Sequence, residues 1–102
     1  MPSKHSLFAY GTLNDPDKQQ ELFGRVIAGT EDALDDHGRV EIVDEGTTYL
    51  AAVPADGISI PGRVLEVTEE DLKAADAWEG DAYRREELKL RSGARAWVYL
   101  KK

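Results

Sequence analysis

The sequence predicts one α+β domain in which about six or seven short strands form a curved sheet or small barrel beside two short helices. Three observations support this fold class. Short apolar stretches alternate with turn residues along most of the chain, a pattern typical of strands. Two other stretches instead carry residues that start and end helices. The length of 102 residues suits a single globular domain, here residues 1–102.

Composition excludes several classes of function. Thirteen Lys and Arg against twenty Asp and Glu give a formal net charge of −7, so we expect no binding to nucleic acid or to an anionic membrane surface. The absence of cysteine excludes disulfides, thiolate nucleophiles and cysteine-ligated metals. No apolar run is long enough to span a bilayer, and the N-terminal one is too short for a signal peptide. We expect a cytoplasmic protein.

The N-terminal segment predicts a strand followed by a helix. Leu7–Tyr10 is a short apolar run typical of a buried strand, and Gly11 ends it. Asn14–Pro16 predicts a helix start, with a capping Asn or Asp before proline at the first helical position. The short helix carries Gln19 and ends at Gly24.

The middle of the chain predicts a hairpin and two further turns. Alternating residues indicate strands over 39–43 and 47–53, and Asp44–Gly46 is the turn between them. Pro54–Gly57 predicts a second turn. Pro61–Gly62 predicts another break before the next strand.

The C-terminal part predicts a strand, a capped helix and a second hairpin. A strand over 63–67 leads to Thr68–Asp71, where Thr68 caps the helix and Asp71 returns the bond. Gly80 ends this helix. Alternating stretches over 87–91 and 94–99, joined by a Ser-Gly pair, predict the hairpin.

The first candidate site is the turn Tyr10–Leu13, where a strand ends just before a helix. Glycine lets the chain turn sharply and lets a ligand approach the backbone. Successive N–H groups in such a turn form a nest suited to a carboxylate or phosphate. The alternative is a turn that only connects the strand to the helix.

The second candidate is Glu79. Leu72, Ala75, Asp76 and Glu79 have the spacing of one helix face, so a carboxylate shares the face that carries the apolar anchor. Burial and the C-terminal end of the helix dipole both raise the pKa of such a carboxyl group toward neutrality. A group of this kind serves as a general acid or base. The alternatives are an exposed Glu79 or one that pairs with Arg84–Arg85, and we expect Asp76 to be a paired structural carboxylate.

Two further groups of residues are weaker candidates. Tyr83 follows the helix closely enough for its hydroxyl to reach a site at the helix end. Residues 31–36 contain an acidic cluster of Glu31, Asp32, Asp35 and Asp36, which predicts a solvated loop or, alternatively, a partner surface. His37 beside it has too few neighbouring donors for a metal site, and none is predicted.

Two motifs together resemble one known family. Leu7–Leu13 is similar to the opening of the gamma-glutamylcyclotransferase-like (AIG2-like) family, in which a strand ends in Tyr-Gly-Ser/Thr-Leu. Gly62–Val67 followed by Asp76–Arg85 resembles that family's second signature, an Asp-x-aromatic-Glu-Gly run with Tyr-x-Arg after it. The resemblance extends from Ser6 to Tyr99. It departs from the family at Tyr49, which lacks the usual following proline.

The resemblance implies a small mixed β-barrel flanked by helices, with a pocket at its mouth. It implies that the Tyr10–Leu13 turn holds the α-carboxylate of a small-molecule γ-glutamyl substrate and that Glu79 is the catalytic acid/base. In the family's reaction the α-amine attacks its own γ-carbonyl, which yields 5-oxoproline and a free amine or amino acid. No cofactor or metal is required. The leaving amine and the oligomeric state stay open, and the alternative is a module that binds a carboxylate or amino-acid-like ligand without turnover.

Overall fold

The computed structural model describes residues 4–102 as five strands in one curled half-barrel sheet with two helices. The elements in chain order are β1 (Lys4–Ala9), a 3-10 turn (Thr12–Asn14), α1 (Pro16–Phe23), β2 (Thr30–Asp44), β3 (Thr47–Thr68), α2 (Glu69–Glu79), a second 3-10 turn (Gly80–Ala82), β4 (Tyr83–Lys89) and β5 (Arg95–Lys101). Across residues 4–102, no helix has both the length and the apolar character needed to cross a membrane.

Capping residues fix the ends of both helices at the positions that the sequence predicts. The Asp15 carboxylate accepts a hydrogen bond from the Asp17 amide at 2.9 Å, and α1 ends at Gly24 with a left-handed φ of 72°. Thr68 and Asp71 form a reciprocal capping box at the start of α2. The predicted bounds of both helices are confirmed.

The sheet has the order β2-β3-β1-β5-β4, with β1 at its centre. β1 is antiparallel to β3 and parallel to β5. Because β1 ends at Ala9, its two neighbours meet beyond it, where Ala52 of β3 pairs with Leu100 of β5. The sheet therefore curls at the end of β1, and the chain leaves β1 at this curl.

The central strand is buried on both faces. Leu7 and Ala9 face the cluster that contains Phe23, Leu72 and other apolar residues of the helices. Phe8 points to the opposite face, which contains apolar side chains of β2, β3 and β5. Both helices thus cover one face of the sheet, while the curl of the sheet covers the other.

The predicted strand count and two predicted turns are wrong. The predicted strands over 47–53 and 63–67 are parts of the single strand β3, which runs through Pro54–Gly57 and Pro61–Gly62. β1 pairs only with residues 63–68, so β3 has one neighbour, β2, at both prolines. A proline without an N–H is tolerated at such an edge position.

The predicted acidic loop at residues 31–36 is also wrong, since these residues belong to β2. A register shift between Asp35 and His37 forms a bulge opposite β3. Asp36 and Gly57 adopt positive φ values of 59° and 78° there. The glycine of the predicted turn at Pro54–Gly57 therefore marks a bulge within a hairpin. The predicted hairpin turn at Asp44–Gly46 is confirmed.

Gly62 lies where β3 passes closest to the end of β1. A Cβ atom at this position falls 2.5 Å from the Ala9 carbonyl oxygen and 2.7 Å from Cζ of Phe8. Both contacts are well inside van der Waals distance, and the Ala9 contact is with backbone. Only glycine lets the two strands approach this closely.

We predict that Gly62→Ala lowers the free energy of unfolding by about 1–3 kcal/mol, because the added methyl group overpacks the β1–β3 contact. Urea denaturation followed by circular dichroism measures this loss. Gly38→Ala is the matched control, since its Cβ meets Ala55 at an ordinary 3.5 Å. An unchanged unfolding midpoint for Gly62→Ala would contradict the steric explanation.

Candidate active site

The turn after β1 presents backbone donors that the protein itself does not use. The amides of Asn14 and Asp15 close the 3-10 turn on the carbonyls of Gly11 and Thr12, at 3.0 and 2.9 Å. In the part of the chain that the structure describes, no protein group accepts a hydrogen bond from the amides of Gly11–Leu13. These three N–H groups lie at the start of the 3-10 turn, where no intrahelical acceptor is available, so they can bind an anionic ligand.

A buried glutamine holds this turn in place. The Gln19 side-chain amide donates to the Leu13 carbonyl at 2.9 Å, and its oxygen accepts from the Ile27 amide at 2.8 Å. Its side chain is 2% exposed. Sequence reasoning places Gln19 only on the helix. The available signal is that Gln19 lies three and four residues before Leu22 and Phe23, on the apolar face of α1.

Two tyrosine hydroxyls join the strands around the turn. The Tyr10 hydroxyl donates to the Tyr99 carbonyl and accepts from the Ala52 amide at 3.0 Å. The Tyr83 hydroxyl donates to the Leu50 carbonyl at 3.0 Å. Burial raises the pKa of both phenols. Both hydroxyls therefore stay protonated at neutral pH and fix the distal half of the β2–β3 hairpin against the body of the domain.

Glu79 ends α2 as a half-buried carboxyl group without an ion-pair partner. Burial, followed by repulsion from Asp76, raises the pKa of Glu79 to about 7. Across residues 4–102 no Lys or Arg pairs with it, because Arg84 pairs with Glu86 and Arg85 pairs with Asp76. Glu79 is thus a proton acceptor and donor matched to neutral pH.

Asp76, one turn before Glu79, is the paired carboxylate of this helix face. Arg85 donates to both of its oxygens at 2.8 and 3.0 Å, and the Tyr99 hydroxyl donates to Oδ1 at 2.7 Å. Burial opposes the ionisation of Asp76, but these bonds outweigh it and hold its pKa below the usual value. Arg85 also stacks over the Trp97 ring at 4.4 Å. Asp76 therefore stays charged, and its charge acts on Glu79.

These groups surround one cavity of about 190 Å³. Its lining residues are Phe8–Leu13, Thr48–Leu50, Trp78, Glu79, Tyr83 and Tyr99. Every residue that the sequence assigns to the site, namely Tyr10, Gly11, Thr12, Leu13, Tyr83 and Glu79, lies on this cavity. Among the described residues that line it there is no Lys, Arg or His, so an anion would be bound there by neutral donors, which include the backbone amides of Gly11–Leu13. The arrangement can hold a small carboxylate and move a proton beside it.

The acidic cluster of β2 lies away from this cavity and is largely paired. Asp32 accepts from the Ser92 hydroxyl, Asp35 accepts from Arg91, and Asp36 accepts from the Gly57 amide. These bonds connect β2 to its neighbours, which accounts for three of the four carboxylates. Among residues 4–102, no group of three His, Asp or Glu side chains is placed to hold a metal ion.

Comparison with known proteins gives a family and a fold. Residues 7–102 match the family model for gamma-glutamyl cyclotransferase, AIG2-like. The chain is 32% identical over 87 residues to AIG2-like protein D of Arabidopsis thaliana. This alignment covers 84% of this chain and 56% of the relative. It is also 32% identical over 82 residues to AIG2-like protein A of the same plant, covering 79% of this chain and 48% of the relative. The chain spans about half the length of the curated relatives it matches.

Among solved structures, a gamma-glutamyl cyclotransferase superposes with a TM-score of 0.85 over 98% of this chain and 68% of that chain. At 16% identity, this likeness shows the shared fold. The α+β fold predicted from the sequence is therefore confirmed.

The raised pKa of Glu79 predicts a pH-dependent cost to stability. The folded state holds the Glu79 proton up to about pH 7, whereas the reference carboxyl releases it near 4.5. The stability from this group is complete below pH 4.5 and is lost as the pH rises through 7. We predict that Glu79→Gln gains roughly 1–3 kcal/mol of stability relative to the parent protein between pH 4.5 and pH 8.

Urea denaturation of both proteins at several pH values measures this gain. Glu70→Gln, which removes an exposed carboxylate from the same helix, is the control. A difference between Glu79→Gln and the parent that does not change with pH would show that Glu79 titrates normally.

Proposed function

The chain belongs to the gamma-glutamyl cyclotransferase, AIG2-like family, and from this premise we propose that it is a cyclotransferase. In the proposed reaction, the α-amine of a γ-glutamyl amide attacks its own γ-carbonyl. The products are 5-oxoproline and a free amine or amino acid. The proposed activity is that of the described domain.

The observation that carries the proposal is the position of Glu79. A carboxyl group with a pKa of about 7 and no cationic partner shares a cavity with three free backbone amides. A site that only bound an anion would gain nothing from a carboxylate in the same cavity. General acid–base catalysis requires such a group, with a pKa near the working pH.

The substrate's α-carboxylate is placed on the amides of Gly11–Leu13. With no basic side chain on the cavity, these N–H groups and the start of the 3-10 turn supply the attraction for the negative charge. This leaves the α-amine and the γ-carbonyl of the same glutamyl unit inside the cavity. Gln19 keeps the turn in register by holding the Leu13 carbonyl.

Two protons leave the α-nitrogen in the proposed reaction. In its ionised form Glu79 removes one from the α-ammonium group and passes it to water, which frees the nitrogen lone pair to attack the γ-carbonyl carbon. The new C–N bond closes a five-membered ring, and Glu79 then takes the second proton from the ring nitrogen and gives it to the leaving nitrogen as the bond to that nitrogen breaks. The nucleophile is already tethered to its target, so fixing the folded substrate conformation supplies much of the rate acceleration.

We predict that the protein releases 5-oxoproline from members of a panel of γ-glutamyl amides and that Glu79→Gln lowers this rate by about 10²–10⁴-fold. Mass spectrometry of 5-oxoproline measures the reaction. Gln keeps the shape of the side chain and removes the base. Glu70→Gln on the same helix keeps the overall charge change and should retain full activity.

A second candidate function is a module that binds the same ligands without turnover. The free amides of Gly11–Leu13 suit a bound carboxylate in either case. Saturable binding of the panel compounds in titration calorimetry, with no 5-oxoproline released from any of them, would show that the domain is a binding module and not a cyclotransferase. Equal turnover by the parent protein and Glu79→Gln would remove Glu79 from the mechanism.

A further inference from the structure

The distal half of β2 is an unpaired edge of the sheet. β2 pairs only with β3, and beyond the bulge this pairing covers His37–Asp44. Before the bulge, the Ala33 carbonyl accepts a hydrogen bond from the Arg91 amide, so the turn between β4 and β5 covers that part of the edge. Among the described residues, no backbone bond of this kind reaches β2 after the bulge. Residues 38–43 are therefore called the open edge.

The hydrogen bonds of β3 show which backbone groups point outward from the open edge. The Ala52 amide and the Leu50 carbonyl bond to tyrosine hydroxyls, so both residues direct their backbone groups away from β2. In an antiparallel pair, two residues that face each other direct these groups either both toward each other or both away. Arg39 faces Ala52, and Glu41 faces Leu50. The N–H and C=O groups of Arg39 and Glu41 therefore point outward, where a further strand can bond to them.

Arg39 and Glu41 carry opposite charges two residues apart on the same face of β2. Both side chains are exposed, and no ion pair among the described side chains involves either of them. Their cross-strand neighbours on β3, Ala52 and Leu50, carry no charge. Both charges are thus available to a strand that pairs with the open edge.

These charges select one register for a second copy of the chain. Two copies related by a two-fold axis pair their open edges antiparallel, with the axis at one residue. With the axis at Val40, Arg39 of each copy faces Glu41 of the other, which gives two ion pairs. With the axis at Arg39 or Glu41, like charges face each other. With the axis at Ile42, Arg39 faces Glu45, which lies beyond the end of β2.

The uncharged residues of the open edge fit the register centred on Val40. The two copies of Val40 then face each other at a non-hydrogen-bonded position, where side chains are closest and β-branched pairs pack well. Ile42 of each copy faces Gly38 of the other, so its branched side chain meets no opposing side chain. Val43, which is 71% exposed, faces His37.

The open edge lacks the features that keep an edge strand unpaired. Such features include a bulge, a proline, and charges that repel a second copy. The bulge of β2 lies before residues 38–43, and this segment contains no proline. Its two charges attract a second copy in the register given above. The formal net charge of −7 on each chain opposes association at longer range, so we expect a concentration-dependent dimer.

We propose that the domain forms a two-fold symmetric dimer in which the open edges of two copies pair antiparallel about Val40. Arg39 of each copy forms an ion pair with Glu41 of the other. The dimer joins the two sheets into one and braces the distal β2–β3 hairpin, which carries Thr48–Leu50 on the wall of the cavity. This inference does not depend on the proposed function.

Sedimentation velocity over a wide range of protein concentration measures the dissociation constant of the dimer. Arg39→Glu and Glu41→Arg each replace two attractive pairs with two repulsive ones, so each should raise this constant by about tenfold to a hundredfold. Lys73→Glu makes the same charge change as Arg39→Glu at an exposed position of α2 and should leave the constant unchanged. Circular dichroism checks that each variant keeps the fold.

A mixture of the two single variants tests the register directly. One variant carries two acidic side chains on the open edge and the other carries two basic ones. We expect the mixture to form a heterodimer at least as readily as the parent protein dimerises, although each variant alone associates weakly. The double variant Arg39→Glu/Glu41→Arg exchanges the two charges and should restore the dissociation constant of the parent protein.

Amide hydrogen exchange locates the contact on the chain. The amides of Arg39 and Glu41 should exchange more slowly as the concentration of the parent protein rises, and this protection should be lost in Arg39→Glu. A protein that stays monomeric at every concentration would overturn the proposal, as would a dimer that neither single variant weakens. A dimer that the single variants weaken but that neither the mixture nor the double variant restores would overturn the pairing of Arg39 with Glu41.

Discussion

The hydroxyl of Tyr10 is the contact on which the arrangement of the site depends. It bonds to the Tyr99 carbonyl of β5 and to the Ala52 amide of β3, the two strands that meet beyond the end of β1. This bridge fixes where the chain leaves the sheet, and therefore where the Gly11–Leu13 amides point. Gln19 fixes the other end of the same turn through the Leu13 carbonyl. A rigid scaffold thus holds a short backbone segment whose donors have no partner within the described chain.

Across the cavity from this turn, two neighbouring carboxyl groups on one face of α2 have pKa values shifted in opposite directions. Asp76 receives Arg85 and the Tyr99 hydroxyl, so its charge is compensated. Glu79 receives no such partner and carries the repulsion of Asp76 in addition to its own burial. Separated pKa values of this kind let one helix supply a fixed charge and a titrating group three residues apart. The ionised form of Glu79 is disfavoured, yet the residue lies beside an open cavity. This combination is typical of a functional carboxylate.

The features that local chemistry determines were predictable from the sequence. The caps at Asp15, Gly24 and Thr68 act within a few residues, so both helices begin and end as predicted. The spacing of Glu79 from Leu72 and Ala75 was enough to place a carboxyl group beside the core. The continuity of β3 through Pro54 and Pro61 was not predictable, because it depends on β3 having only one neighbour there. The roles of Gln19 and of the Tyr10 hydroxyl depend likewise on partners that only the fold brings near.

The central position of β1 also determines the order in which the chain can fold. The hairpins β2–β3 and β4–β5 each join neighbours in sequence, so their closure costs little chain entropy. β1 instead lies between strands that follow it far along the chain, and Tyr10 is 89 residues from the residue whose carbonyl it binds. Contacts of such long range slow folding, since their entropy is lost before their energy is gained. We therefore expect the two hairpins to form early and β1 to insert between them late, so that a chain with most of its strands formed would still lack the pocket.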